Sequence, residues 1–205
     1  MKIVKALLVA SLFTFSAANA GIIGVAGGGQ IIASPPAVLD GFVTNDHQQG
    51  FNELQGVFIP AAPPTLVDVF SLVPPGTHVN SHMIFLNSVG PEVTQNGVTW
   101  VFDGNVLGVM SDPFGVQEFF STPFLGSPFT VYPGAPFSGR GMEVITDSYV
   151  IFGNTLTVNM TDGLLGDPGD WIRVLTVVPE PGTYLILGGF LVLTLFAASR
   201  RRSRA

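Results

Sequence analysis

Residues 21–178 predict a mainly β fold, an antiparallel β-sandwich, with a jelly-roll-like arrangement preferred to an immunoglobulin-like one. Three observations carry that prediction. Valine, isoleucine, phenylalanine and threonine fill the apolar runs. Glycine and proline, 25 and 16 of the 205 residues, cut those runs at short intervals. Between the two ends of the chain no stretch of helical length shows apolar periodicity. No internal repeat is visible, which argues against solenoids and propellers.

The elements follow in order. The start of the glycine-rich stretch Gly21–Ala33 reads as a mobile lead-in, broken at Ser34-Pro35-Pro36. Thr65–Val73 reads as a single strand, closed by Pro74-Pro75-Gly76, because proline cannot donate to a ladder. Thr77–Asn87 reads as the next. Gly97–Phe102 and Asn105–Met110 flank Asp103-Gly104, a favoured two-residue turn, and so predict a hairpin. Met142–Thr146 reads as a short strand. Tyr149–Phe152 turns at Gly153-Asn154 into Thr155–Met160, a second hairpin. Asp170–Val178 is the last strand and runs straight into Pro179.

The two ends differ from this middle. Lys2 and Lys5 precede the largely apolar run Ala6–Phe15, and Ala18-Asn19-Ala20 has the small-x-small form of a cleavage site. Residues 1–20 therefore read as a secretory signal peptide, cut after Ala20. At the other end, Tyr184–Ala198 carries no charge, and with Thr183 and Ser199 it reaches the lower limit for crossing a hydrocarbon core about 30 Å thick. Residues 183–199 are thus expected to form a transmembrane helix. Arg200, Arg201, Arg202 and Arg204 stop translocation and hold the C-terminus in the cytoplasm. Pro179 and Pro181 make an extended, accessible joint before the membrane.

Pro179-Glu180-Pro181, the apolar stretch and the arginines, spanning residues 179–205, together resemble the PEP-CTERM sorting signal. In many Gram-negative bacteria that signal is handled by an exosortase-type membrane enzyme. The resemblance implies processing near Pro179-Glu180-Pro181 and release or transfer of the domain to the cell surface or extracellular matrix. Val79-Asn80-Ser81-His82, Val101–Val109, Arg140–Glu143 and Gly153–Leu156 also look like a group of PEP-CTERM-bearing exported proteins of unassigned activity. These are mostly hairpin and strand-edge residues, and they transfer no catalytic residue.

Charge narrows the possible partners. Six of the eight basic residues lie in the two end segments. Residues 21–178 keep only Arg140 and Arg173 against thirteen acids, a formal charge of −11. Such a domain is no match for nucleic acid, whose phosphates need cations, but it is compatible with divalent cations or with simple solubility. The chain has no cysteine, so disulfides, thiolate metal sites and cysteine nucleophiles are excluded. Stability must come from a core, and about 158 residues can form one.

Three constellations could carry chemistry. His78 and His82 are four apart; on a strand that is about 13 Å at roughly 3.3 Å per residue, too far for one metal. They read as two polar strand residues. Asp162, Asp167 and Asp170 lie on a glycine-rich loop and could offer oxygen ligands to calcium, or simply form a solvated turn. Their spacing is not that of an EF-hand. Thirteen acids make some glycosidase-like pair inevitable in sequence, where separation is invisible. Phe114, Phe119, Phe120, Phe124, Phe129, Tyr132 and Phe137 crowd residues 112–139, either filling the core or offering a platform for sugar rings. There is no nucleophile elbow and no phosphate-binding glycine loop.

The expectation is an exported, non-enzymatic protein anchored in the membrane before processing. Its role, by resemblance, is structural or adhesive in exopolysaccharide or biofilm. A calcium- or carbohydrate-binding module is the second reading, and a hydrolase with an unrecognised site the third.

Overall fold

The central strands of this protein are buried on both faces, because one sheet of its sandwich carries a further layer on its back. The computed structural model of the chain describes residues 21–39, 46–60, 65–68, 71–88, 92–143, 145–162 and 169–179. Its contacts group Ala20–Pro179 into one unit. The fold is mainly β, as the sequence predicts. The signal peptide and the transmembrane segment 183–199 lie outside the described residues. Among the described residues no helix is long and apolar enough to cross a membrane.

The strands are β1 (Ile22–Ala26), β2 (Gln30–Ile31), β3 (Gln49–Asn52), β4 (Val57–Phe58), β5 (Leu66–Val67), β6 (Ser71–Leu72) and β7 (His78–Leu86). They continue as β8 (Val93–Phe102), β9 (Val106–Met110), β10 (Ser148–Phe152), β11 (Thr155–Asp162) and β12 (Asp170–Val177). One helix, α1 (Val116–Leu125), falls between β9 and β10. Sheet order is β1-β8-β11-β10 in one layer and β2-β3-β7-β12-β9 in the other, with β4 also on β7. The pairing is antiparallel except between β2 and β3, so the second sheet is mixed.

Period-two alternation builds the interior. Val98, Trp100 and Phe102 on β8 and Leu156, Val158 and Met160 on β11 face Ile84, Leu86, Ile172 and Val174 on β7 and β12. Strand β11 alternates buried and half-buried along its whole length, the mark of a sheet with one solvated face. Strands β7 and β12 are buried almost throughout. Their outward residues Met83, Phe85 and Trp171 meet Val38 and Phe51, and Val79 and Leu175 meet Ile59, Val67 and Leu125. Close approach sets one position. A side chain at Gly50 would place its Cβ 2.6 Å from Trp100 Cζ3, and the indole is held by its bond to Gln48 Oε1 at 3.1 Å.

Several expectations need correction. The glycine-rich start is no mobile lead-in: β1 pairs with β8 and β2 with β3. Thr65–Val73 is not one strand but the pair β5–β6, with Leu66 opposite Leu72. Asp103-Gly104 does not close a hairpin, because the chain crosses there from one sheet to the other. The backbone around that turn is satisfied elsewhere: Asp103 N–H by Gly21, Phe102 N–H by Asn154 and Val106 N–H by Gly153. Where a strand over 142–146 is expected, residues 145 and 146 form a turn, tied by Asp147 N–H to the Glu143 carbonyl at 2.9 Å and Glu143 N–H to Asp147 Oδ2 at 2.8 Å. The second hairpin is present, β10 pairing with β11 around Gly153 at φ 60°.

Helix α1 was not expected at all. Its buried positions are Glu118, Ser121 and Leu125, while Phe120 is exposed. The buried stripe is therefore polar, which hides the helix from a search for apolar periodicity. Asp112 starts it, accepting from Val116 N–H at 2.8 Å and Gln117 N–H at 2.9 Å.

Candidate functional site

Both arginines of the domain are fully buried, and they explain the inverted helix. Arg173 projects from the outer face of β12 and donates to Glu53 through Nε (2.7 Å) and Nη2 (2.8 Å). It also reaches the Glu118 carbonyl and Ser121 Oγ at 2.6 Å each. Arg140 binds the Glu118 carboxylate and the carbonyls of Pro133 and Ala135. Burial works against the Arg173 charge, but Glu53 and Glu118 beside it raise its pKa and hold it protonated. Two cations and two anions thus fasten α1 and the 127–140 segment to the sheet. This network is structural and offers no open site.

A second polar cluster closes one end of the sandwich. There β10 begins, β11 ends and β12 begins. Asp170, first in β12, shares the inward face with Ile172 and Val174; Asp162, last in β11, shares it with Met160 and Val158. Both acids are buried. Carboxylate oxygens of Glu143, Asp147 and Asp170 lie within 4.8 Å of one another. Asp147 stands just before β10 and is fixed by two backbone donors, Glu143 N–H on Oδ2 and Thr161 N–H at 2.9 Å on Oδ1. Asp162 Oδ2 accepts from Ser88 N–H. Burial pushes the Asp170 carboxyl well above the usual range, and the charges of Asp147, Glu143 and Asp162 push it further. Glu143 and Asp147 also line an open cavity of about 350 Å³ shared with Asp68, Ser111 and Tyr149. Asp68 accepts from Ser111 N–H at 3.0 Å and Tyr149 O–H at 2.9 Å, and burial with the nearby Asp68 charge raises the Tyr149 pKa.

Comparison of the chain with protein families, with curated proteins and with solved structures finds no match. The residues themselves must carry the reading.

Of the three aspartates singled out in the sequence, Asp170 belongs to the convergent trio and Asp162 flanks it. Asp167 lies outside the described residues. Glu143 and Asp147 escape the sequence reading, since they lie 27 and 23 positions before Asp170, Glu143 within the expected strand 142–146 and Asp147 just after it. Pro179 is described, without regular structure. Glu180, Pro181, Ala18, Ala20 and the four terminal arginines lie outside the described residues.

The histidines stand apart. His82 is buried between the sheets, with Nδ1 2.9 Å from Asn52 Oδ1 and Nε2 3.1 Å from Thr176 Oγ1. Burial lowers its pKa to about 3. His78 is exposed at the start of β7, its ring 5.3 Å from that of Phe58. Among the described residues neither joins a group able to hold a metal.

The aromatic residues divide. Phe137 packs edge-on against Trp171 at 6.1 Å, and the Tyr132 hydroxyl donates to Glu53 at 2.6 Å. Phe114, Phe120 and Phe129 stand out at 56%, 68% and 83% exposure. These three do not fill the core.

Proposed function

We propose that this protein is exported, sorted through its PEP-CTERM-like tail by an exosortase-type enzyme, and delivered to the cell surface or matrix. Its role there is structural or adhesive, within exopolysaccharide or biofilm. The tail residues Pro179-Glu180-Pro181, 183–199 and the terminal arginines support the sorting step. The contact unit Ala20–Pro179 spans nearly the same stretch that cleavage after Ala20 and near Pro181 would release. We also read the sandwich as jelly-roll-like, supported by crossings between the sheets at β7–β8, β8–β9, β9–β10 and β11–β12.

The observation that carries the adhesive reading is the set of exposed rings Phe114, Phe120 and Phe129 on and beside a helix that buries its one charge, Glu118. Exposed large apolar side chains gathered on one segment mark a surface that meets something. Flat rings suit the apolar faces of sugars, and an acidic domain leaves nucleic acid aside.

The deciding experiment is the intact mass of the protein recovered from membranes and from the surrounding matrix. A matrix species that begins at Gly21 and lacks Tyr184–Ala205, with or without added sugar mass, is the expected result. A species found only in membranes and still carrying its tail refutes sorting and release.

A further inference from the structure

The end of the sandwich gathers like charges around a buried carboxylate. Glu143, Asp147 and Asp170 bring three carboxylate oxygens within 4.8 Å of one another, and Asp162 adds its charge to Asp170. Like charges at this spacing repel strongly away from bulk water. No lysine exists between residues 21 and 178. The two arginines there are spent on Glu118 and Glu53. The residue at the centre of the problem, Asp170, is only 1% exposed. Its Oδ2 is buried and accepts no hydrogen bond. An unsatisfied buried carboxylate oxygen is costly unless a cation or a proton meets it.

We infer that Glu143, Asp147 and Asp170 form a calcium site that ties the two sheets of the sandwich together. Asp147 enters one sheet at β10, Asp170 opens β12 in the other, and Glu143 sits on the turn that leads into β10. The donors are all oxygen, the preference of a hard cation. Backbone donors already fix the Asp147 carboxylate, so one of the three ligands is preorganised. Glu143 and Asp147 open onto the adjoining cavity, where water can complete the six to eight ligands that calcium takes. Magnesium, which demands a tight octahedron, suits carboxylates held on a turn and a strand start less well. The inference rests on this geometry and stands whether or not the export reading holds.

The test uses the full-length chain in detergent, freed of metal with EDTA and then given calcium or magnesium chloride. At calcium a hundredfold above its dissociation constant, the Tm should rise by about 5–10 °C. Calorimetric titration should find one site. The Asp170→Asn variant sharpens the test. In EDTA it should be at least as stable as the parent, because a repelling charge is gone; in calcium the order should reverse. An order that is the same in both buffers overturns the site, because the carboxyls then share a proton in place of a cation. Calcium binding that survives Asp170→Asn unchanged also overturns it, since it is then diffuse binding to an acidic surface. Glu143→Gln, on the turn facing the cavity, gives the same two outcomes should Asp170→Asn fail to fold.

Discussion

Replacing Arg173 with methionine probes the part of this fold that sequence patterning hides. The guanidinium makes a two-point contact with Glu53 at 2.7 and 2.8 Å and bonds the Glu118 carbonyl, Ser121 and Thr122. Methionine fills much of the space and removes every donor. Glu53 keeps its bonds from Ser81 Oγ and Tyr132 O–H, but its charge is left buried without a counter-ion. Breaking one side of a buried pair costs about 3–5 kcal/mol. For a domain of this size that is a drop in Tm of about 6–20 °C. Urea unfolding followed by tryptophan fluorescence suits the assay, because Trp100 and Trp171 are both buried. The informative partner is the double variant Arg173→Met/Glu53→Gln, which removes the stranded charge and should recover part of the loss. If the double variant is no more stable than Arg173→Met, the cost is lost packing and the charge argument is wrong.

Three further outcomes follow from the same structure. His82 has a folded pKa near 3 against an ordinary 6.5; its neutral form stabilises the fold above pH 6.5, and that contribution is lost as pH falls towards 3. The loss reaches about 4–5 kcal/mol, and the imidazole NMR signals should stay constant from pH 8 to 4; a titration near 6.5 would refute the buried, uncharged assignment. Gly50→Ala puts a methyl against the Trp100 ring and should cost about 1–3 kcal/mol in urea unfolding, whereas a neutral result would mean that the indole moves freely. Phe120→Ser with Phe129→Ser should leave Tm within about 1–2 °C, since both rings are exposed, yet reduce retention on the matrix polysaccharide severalfold; unchanged retention removes the adhesive surface.

What the sequence made legible was the solvated half of the fold. Strand β11 alternates cleanly, and its hairpin with β10 turns on Gly153, so both could be read from local residues. Local rules failed where long-range partners decided the outcome. Asp103-Gly104 has ideal hairpin chemistry, but the flanking strands belong to opposite sheets because β1, β11 and β12 claim their edges. Val116–Leu125 was illegible because its buried side is Glu118 and Ser121, chosen to meet arginines more than twenty residues away. The acidic corner was half-legible. Asp162 and Asp170 flank one loop, but Glu143 and Asp147 join them only through the return of β10 beside β11.

The two polar clusters divide the labour of charge in this domain. Arg140, Arg173, Glu53 and Glu118 neutralise one another in a buried layer, where salt screens them little. In the second cluster Glu143 and Asp147 crowd the buried Asp170 carboxyl, and a divalent cation is the inferred balance. The first cluster fastens α1, and with it the exposed Phe120, to the outer face of the mixed sheet. The second sits where the two sheets meet, at the end from which β12 runs towards Pro179. On the calcium-site inference, coupling of the sheets at that end answers to divalent cations, while the aromatic surface does not. Chelation should loosen the β10–β12 corner and leave the α1 surface intact, a difference that amide hydrogen exchange reads directly. Faster exchange in β10 and at the start of β12 after EDTA, with α1 unchanged, is the result this division requires; equal change in both regions contradicts it.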